Sequence, residues 1–190
     1  MKNNLAVSST VRWFASAFAA VLLSASLNAS AQWRHPAQLV PDVPYVPTPY
    51  KVAKAMLDVA NVTDDDIVYD LGSGDGRIVI AAARDYGASG IGVEIDQKLV
   101  EMARLNALAD KVDDKVEFVQ TDLFRMDLSD ATVVALYLSE PINRRLRPIL
   151  LEQLKPGTRI VSHEFSMGDW EPEETLFIDG HWVHYWVVPE

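Results

Sequence analysis

The acids and glycines of one short stretch stand where they could do chemistry. "VYDLGSGDGRI", from Val68 to Ile78, puts Gly72, Gly74 and Gly76 on alternate positions straight after an apolar run, with Asp70 before them and Asp75 among them. A glycine inside a regular element costs about 0.5–1 kcal/mol relative to Ala. Three together mark a backbone that turns sharply or lies against a ligand. The pattern is G-x-G-x-G, not the dinucleotide fingerprint G-x-G-x-x-G. A carboxylate at Asp70 would repel a pyrophosphate, which disfavours a nicotinamide dehydrogenase, but it would attract a cation. S-adenosylmethionine offers two, an ammonium and a sulfonium. Glu94 closes a second apolar run 18 residues past Gly76, where a carboxylate can accept from both ribose hydroxyls. Asp122, in "QTDLF", can accept from an adenine amino group. Asp75 stands at a helix start, where an acid is favoured in any case.

A second group of residues lies where a substrate would enter. The run "ATVVALYL" ends in "LYLSEP", which offers Tyr137, Glu140 and Asn143, and "TRIVSHEF" ends in His163 and Glu164. Tyr137, Glu140 and His163 are the catalytic candidates. Upstream, Tyr45 and Thr48 are expected to close over the methionine end of the cofactor. Arg144, Arg145 and Arg147 cannot share one helical face and are expected to be solvated. Trp170, Trp182 and Trp186 are expected to pack. Four histidines without close pairing give no metal signature.

These residues must be positioned by regular elements. Prolines at 36, 41, 44 and 47 make residues 32–48 an extended arm. Thr48-Pro49 reads as an N-cap and a first-turn proline, opening a helix to about Ala60. "IVYDL" (67–71), "GIGVEI" (90–95), "KVEFVQ" (115–120), "ATVVALYL" (131–138) and "TRIVSHEF" (158–165) read as strands. Helices are expected over 76–86, 97–110 and 143–154, with Asp96 as a cap. Residues 121–130 leave little room for a helix between the third and fourth strands. "TLFI" (175–178) and "WVHYWVV" (182–188) read as closing strands around an Asp179-Gly180 turn. The alternation predicts an α/β fold: a doubly wound, mostly parallel seven-strand sheet with an antiparallel closing strand. Ligands bind beyond the carboxyl ends of such strands, which is where the glycine turn falls.

The span from about Tyr45 to Val188 resembles the class I S-adenosylmethionine-dependent methyltransferases. "YVPTP" followed by "VYDLGSGDGRIVIAAA" is similar to the family that includes the seven-strand protein-lysine methyltransferases of archaea and mitochondria. The resemblance implies S-adenosylmethionine as cofactor, with Asp70, Gly72, Gly74, Glu94 and Asp122 as contacts. It implies an amine substrate, such as a lysine in a protein. The family often has Leu-Pro where this chain has Ser139-Glu140, which weakens Glu140 as a catalytic residue. Two other readings stay open: methylation of a small molecule, and a non-catalytic cofactor-binding module, the latter favoured by the lack of an acid or Asn-Pro-Pro motif after the fourth strand.

Composition sets the outer bounds. The 190 residues suit one catalytic domain, over 49–190. Without cysteine there is no disulfide, no thiolate metal site and no cysteine nucleophile. Lys2 and Arg12, the apolar centre from Trp13 to Leu23 and Ala29-Ser30-Ala31 read as a signal peptide over residues 1–31. The expectation is export to a periplasmic-type compartment, with a membrane anchor or an organelle transit segment as alternatives. The apolar centre is short for a span of about 20 residues, so no stable span is expected after cleavage. An exported enzyme would need a cofactor supply outside the cytosol. Cleavage would leave 15 basic and 27 acidic residues, a net charge of −12. Such a surface repels phosphate backbones, so a nucleic-acid partner is not expected, whereas a Lys-rich segment would be steered in. The oligomeric state is left open.

Overall fold

The computed structural model describes residues 43–190. The expected signal peptide and most of the proline-rich arm lie outside the described residues. The chain then forms α1 (Tyr50–Val59), β1 (Ile67–Leu71), α2 (Arg77–Tyr86), β2 (Ser89–Glu94), α3 (Gln97–Asp110), β3 (Val116–Gln120), β4 (Val133–Leu136), α4 (Glu140–Gln153), β5 (Arg159–His163), β6 (Glu174–Ile178) and β7 (His181–Val187). Between β3 and β4 there is only a single 3-10 turn, Leu123–Arg125.

The seven strands form one sheet in the order β3-β2-β1-β4-β5-β7-β6. β7 runs antiparallel to both its neighbours, β5 and β6, and the remaining pairs are parallel. The β6–β7 turn is Asp179-Gly180, both with positive φ (55° and 89°), as a two-residue hairpin of primed type requires.

Strand periodicity divides the core. Successive strand residues face opposite sides. Val68, Val133, Ala135, Val161 and Val183 pack under α1, α2 and α3. Tyr69, Leu71, Val134, Leu136, Ile160 and Trp186 pack with Leu146 and Leu150 of α4. Burying each of those two leucines fully contributes about 1.5–3 kcal/mol. α2 is buried nearly all round, from Ile78 to Ala83, because it lies between the sheet and its neighbouring helices α1 and α3.

Three local expectations need correction. Thr48 does not cap α1. Pro49 occupies that position with no side-chain bond, and its carbonyl accepts from Val52 and Ala53. The Thr48 hydroxyl is taken instead by His163. α4 starts at Glu140, not Asn143, with a proline in its first turn, where proline is tolerated. Trp186 is buried and packs with Trp170, but Trp182 is about half exposed and stacks only on Phe177.

Strand order reverses between β1 and β4. β1, β2 and β3 step one way across the sheet, and β4 and β5 step the other. That switch point is where sheets of this type open a crevice at their carboxyl ends.

Candidate functional site

A cavity of about 440 Å³ sits at that switch point, within the size range of small-molecule sites. Its floor is the glycine turn after β1. Its sides are the ends of β2 and β4 and the loop after β3. Val43 to Thr48 forms one wall. Tyr45, Thr48, Asp70, Gly72, Gly74, Asp75, Glu94, Asp122 and Tyr137 all line it. The apolar lining includes Val43, Ile78, Val93, Leu99, Leu123, Leu138 and Ile142. These residues are indistinguishable from ordinary core in sequence, so only the fold assigns them here.

Glu94 is fixed by the backbone around it. One carboxylate oxygen accepts from Gly74 N at 2.9 Å, and the other accepts from Ile95 N at 2.7 Å and Asp96 N at 2.9 Å. The end of β2 is thereby tied to the glycine turn, and the carboxylate keeps spare lone pairs for a ligand. Asp70 is buried at the end of β1. Burial, then the nearby charges of Glu94 and Asp75, push its pKa up to about 8. A carboxylate in that position is stabilised by a cation delivered from the cavity.

Asp75 is mostly occupied within the protein. Burial opposes its ionisation, but the Arg77 guanidinium outweighs this and holds the carboxyl below its usual range. Arg77 donates to both oxygens, from Nε at 2.9 Å and Nη2 at 2.6 Å, and also to the Thr48 carbonyl at 2.8 Å. Asp75 therefore fastens the arm to the turn through Arg77, a residue the motif reading passed over. Asp122 caps the 3-10 turn by accepting from Phe124 N at 3.0 Å.

The glycines are explained by what surrounds them. A side chain at Gly74 (φ +54°) would meet the Tyr45 ring at 2.5 Å; one at Gly76 (φ +82°) would meet Phe118 at 2.5 Å and Ala103 at 2.9 Å. The turn lets the arm close on one side and α3 with β3 close on the other.

The substrate-side candidates separate. Tyr137 lines the cavity, and its ring lies 3.8 Å from that of His163. His163 does not line it. The ring is fully buried, with Nδ1 3.2 Å from Thr48 Oγ1. Burial, then His181, push its pKa down to about 4, so the ring is neutral near neutral pH and acts on the cavity through Thr48. Glu140 lies outside the lining, exposed at the start of α4 and 3.9 Å from Arg144. Asn143 is buried and donates to the Phe165 carbonyl at 3.0 Å and Ser162 Oγ at 3.1 Å, holding the loop after β5. Arg145 lies over the Phe124 ring and Arg147 over Trp170. One grouping went unread in sequence: His163, Glu164 and His181 bring possible metal-binding atoms within 4.8 Å of one another.

The residues present suit S-adenosylmethionine. The cavity is lined by a buried carboxyl group whose charged neighbours are acids and by a second carboxylate anchored at a strand end, and Ser73 in the glycine turn carries a buried hydroxyl with no partner among the described residues. A buried polar atom of this kind calls for one.

Comparison with known proteins agrees with this geometry. A family model for the ANTKMT methyltransferase domain matches residues 70–174. A protein-lysine N-methyltransferase of Saccharolobus islandicus is 45% identical over 156 residues, covering 80% of this chain and 97% of that protein. The adenine nucleotide translocase lysine N-methyltransferase of Mus musculus is 33% identical, covering 68% of this chain and 56% of that longer protein. The crystal structure of an RNA methyltransferase from Salinibacter ruber, in complex with S-adenosyl-L-homocysteine, is 56% identical with a TM-score of 0.76, covering 76% of this chain and 95% of that one. A methyltransferase from Geobacter sulfurreducens, also with S-adenosyl-L-homocysteine, is 29% identical with a TM-score of 0.55, covering 62% of this chain and 48% of that one. The chain belongs to the ANTKMT-type family of S-adenosylmethionine-dependent methyltransferases.

Proposed function

We propose that this enzyme N-methylates lysine side chains of a protein. The observation that carries this reading is the 45% identity to a protein-lysine N-methyltransferase over nearly that protein's whole length. Bound S-adenosylmethionine supplies a methyl carbon activated by its sulfonium. The chain has to bind the cofactor, orient the nucleophile and exclude water. In this reading Asp70 receives the cofactor's cationic end, Glu94 the ribose hydroxyls and Asp122 the adenine amino group. Gly72, Gly74 and Ser73 form the floor, and Tyr45 and Thr48 close the arm over it.

A lysine amine must be neutral to react, against an ordinary pKa of about 10.4. Desolvation at the cavity mouth favours the neutral form. Tyr137, on that wall with its ring backed by His163, supplies an aromatic surface against which the amine loses water. Thr48 is held by His163 and offers its hydroxyl to the same space.

A second reading, RNA methylation, is favoured by the Salinibacter ruber structure. The net charge of −10 opposes it, since RNA binding draws on contacts that neutralise phosphates. Incubating the purified enzyme with radiolabelled S-adenosylmethionine and equal amounts of Lys-bearing peptides, small amines and structured RNA separates the readings. Label on peptide lysine, lost when that lysine is Arg, is the expected result. Label confined to RNA or to small amines overturns it.

A further inference from the structure

Beyond the cofactor cavity, three side chains converge at the end of β5. His163 is the last residue of β5, Glu164 follows it, and His181 opens the neighbouring strand β7. His163 Nε2 lies 3.1 Å from His181 Nδ1, which lies 2.7 Å from Glu164 Oε1; His163 Nε2 to Glu164 Oε1 is 3.9 Å. A neutral imidazole nitrogen is either a donor or an acceptor. The His181 Nδ1 hydrogen could serve only as a shared donor, with the other two atoms both accepting. A cation held by all three atoms would engage a lone pair on each of them.

The triangle has the dimensions of a metal site. Zinc bonded at about 2.0–2.2 Å in a tetrahedron sets its ligand atoms about 3.3–3.6 Å apart. The observed separations are 2.7, 3.1 and 3.9 Å, so small side-chain shifts, which open the two short contacts and close the long one, bring the three atoms to that spacing. The backbone is arranged for this convergence. Neighbouring strand residues point to opposite faces, so Glu164 would face away from His163 if the strand simply continued. Instead Glu164 has φ +65°, a left-handed conformation that residues with a side chain adopt rarely. Strain of this kind concentrates at functional sites. The other nitrogen of His163 faces Thr48 Oγ1 at 3.2 Å, the kind of outer partner that fixes a ligating histidine. His163 is wholly buried, while His181 and Glu164 are about a third exposed, which leaves an open side for entry and for a water ligand.

We propose that His163, Glu164 and His181 bind one zinc ion. Two imidazoles and a carboxylate are a donor set that zinc accepts. The ion would clamp β5 to β7. Through His163 it would also fix Thr48 and Tyr137, both of which face the cofactor cavity. The site does not depend on the identity of the methyl acceptor.

The test uses the untagged full chain, stripped with a chelator and titrated with zinc by calorimetry and with cobalt by visible absorption. Expected are one zinc per chain, an intense visible cobalt band of the tetrahedral kind, and a zinc-dependent rise in melting temperature. His181→Ala and Glu164→Gln, whose side chains are partly exposed, should keep native circular dichroism and lose at least tenfold in zinc affinity. His184→Ala, outside the triangle, should bind as wild type does. Absence of saturable zinc binding in the wild type overturns the proposal, and so does wild-type affinity in both His181→Ala and Glu164→Gln.

Discussion

At the scale of single residues, two carboxyl groups with opposite surroundings line the candidate cofactor cavity. Glu94 accepts three backbone hydrogen bonds with its two oxygens. Glu94→Ala should weaken S-adenosylhomocysteine binding by about 1.5–3 kcal/mol, the loss expected for charge-assisted bonds in an enclosed site. Glu94→Gln should not rescue it, because whichever way the amide turns, its NH2 meets a backbone N–H. Titration calorimetry checks both; wild-type affinity in either variant would place the ribose elsewhere. Asp70 has no such donors, and its pKa is raised by burial to about 8. A carboxyl whose pKa is raised by folding binds more protons folded than unfolded. The stability it supports is complete below its unfolded pKa of about 3.9 and is lost as pH rises through 8. A cofactor cation beside it favours the ionised form. S-adenosylmethionine affinity should therefore rise between pH 6 and 8, by up to about tenfold per unit, and Asp70→Asn should flatten the rise. A flat wild-type profile would mean that Asp70 does not meet the cation.

At the scale of elements, the glycine turn divides into a ligand side and a core side. The Tyr45 ring is the first thing a side chain at Gly74 would strike, and that ring lies on the arm, partly exposed, rather than in the packed interior. Gly74→Val shares the left-handed backbone cost (φ +54°) but not the core clash, so it should lose less stability than Gly76→Ala and keep near-native circular dichroism, while the arm lifts and cofactor binding falls at least tenfold. Gly76→Ala meets Phe118 and Ala103 in the packed interior. Left-handed backbone costs about 1–2 kcal/mol and overpacking about 1–3 kcal/mol, so its melting temperature should fall by about 5–15 °C. If both variants lost stability alike, the turn would not be two-sided. The position of this turn was legible in the sequence, because an apolar strand, three glycines and a helical run follow one another within a few residues. So were all seven strands, since each is a short run rich in strand-forming residues between breakers. Contacts between distant segments were not legible. The Thr48 hydroxyl looks like a cap beside Pro49, but its partner is His163, 115 residues away. His163 and His181 look unrelated 18 residues apart, and only the antiparallel β5–β7 pairing brings them together.

At the scale of the whole molecule, net charge sets the long-range field that an approaching partner meets. With 27 acidic and 17 basic residues the chain is net −10, and its cavity opens beside Asp75, Asp96 and Asp122. No helix among the described residues is long and apolar enough to cross a membrane. A negative field raises the local concentration of basic segments and can speed their association tenfold or more. It does the reverse for a phosphate backbone. Screening separates this field effect from contacts made within the cavity. Raising ionic strength from about 0.01 M to 0.15 M shortens the range of the field from roughly 30 Å to 8 Å. For a peptide with several lysines, kcat/KM should fall about tenfold over that interval, while a peptide with one lysine and no net charge should change little. Structured RNA added at low salt should neither accept methyl groups nor compete with the basic peptide. Equal salt dependence for the two peptides would mean that the acidic surface takes no part in choosing the substrate, and competition by RNA would mean that a phosphate backbone can approach despite it.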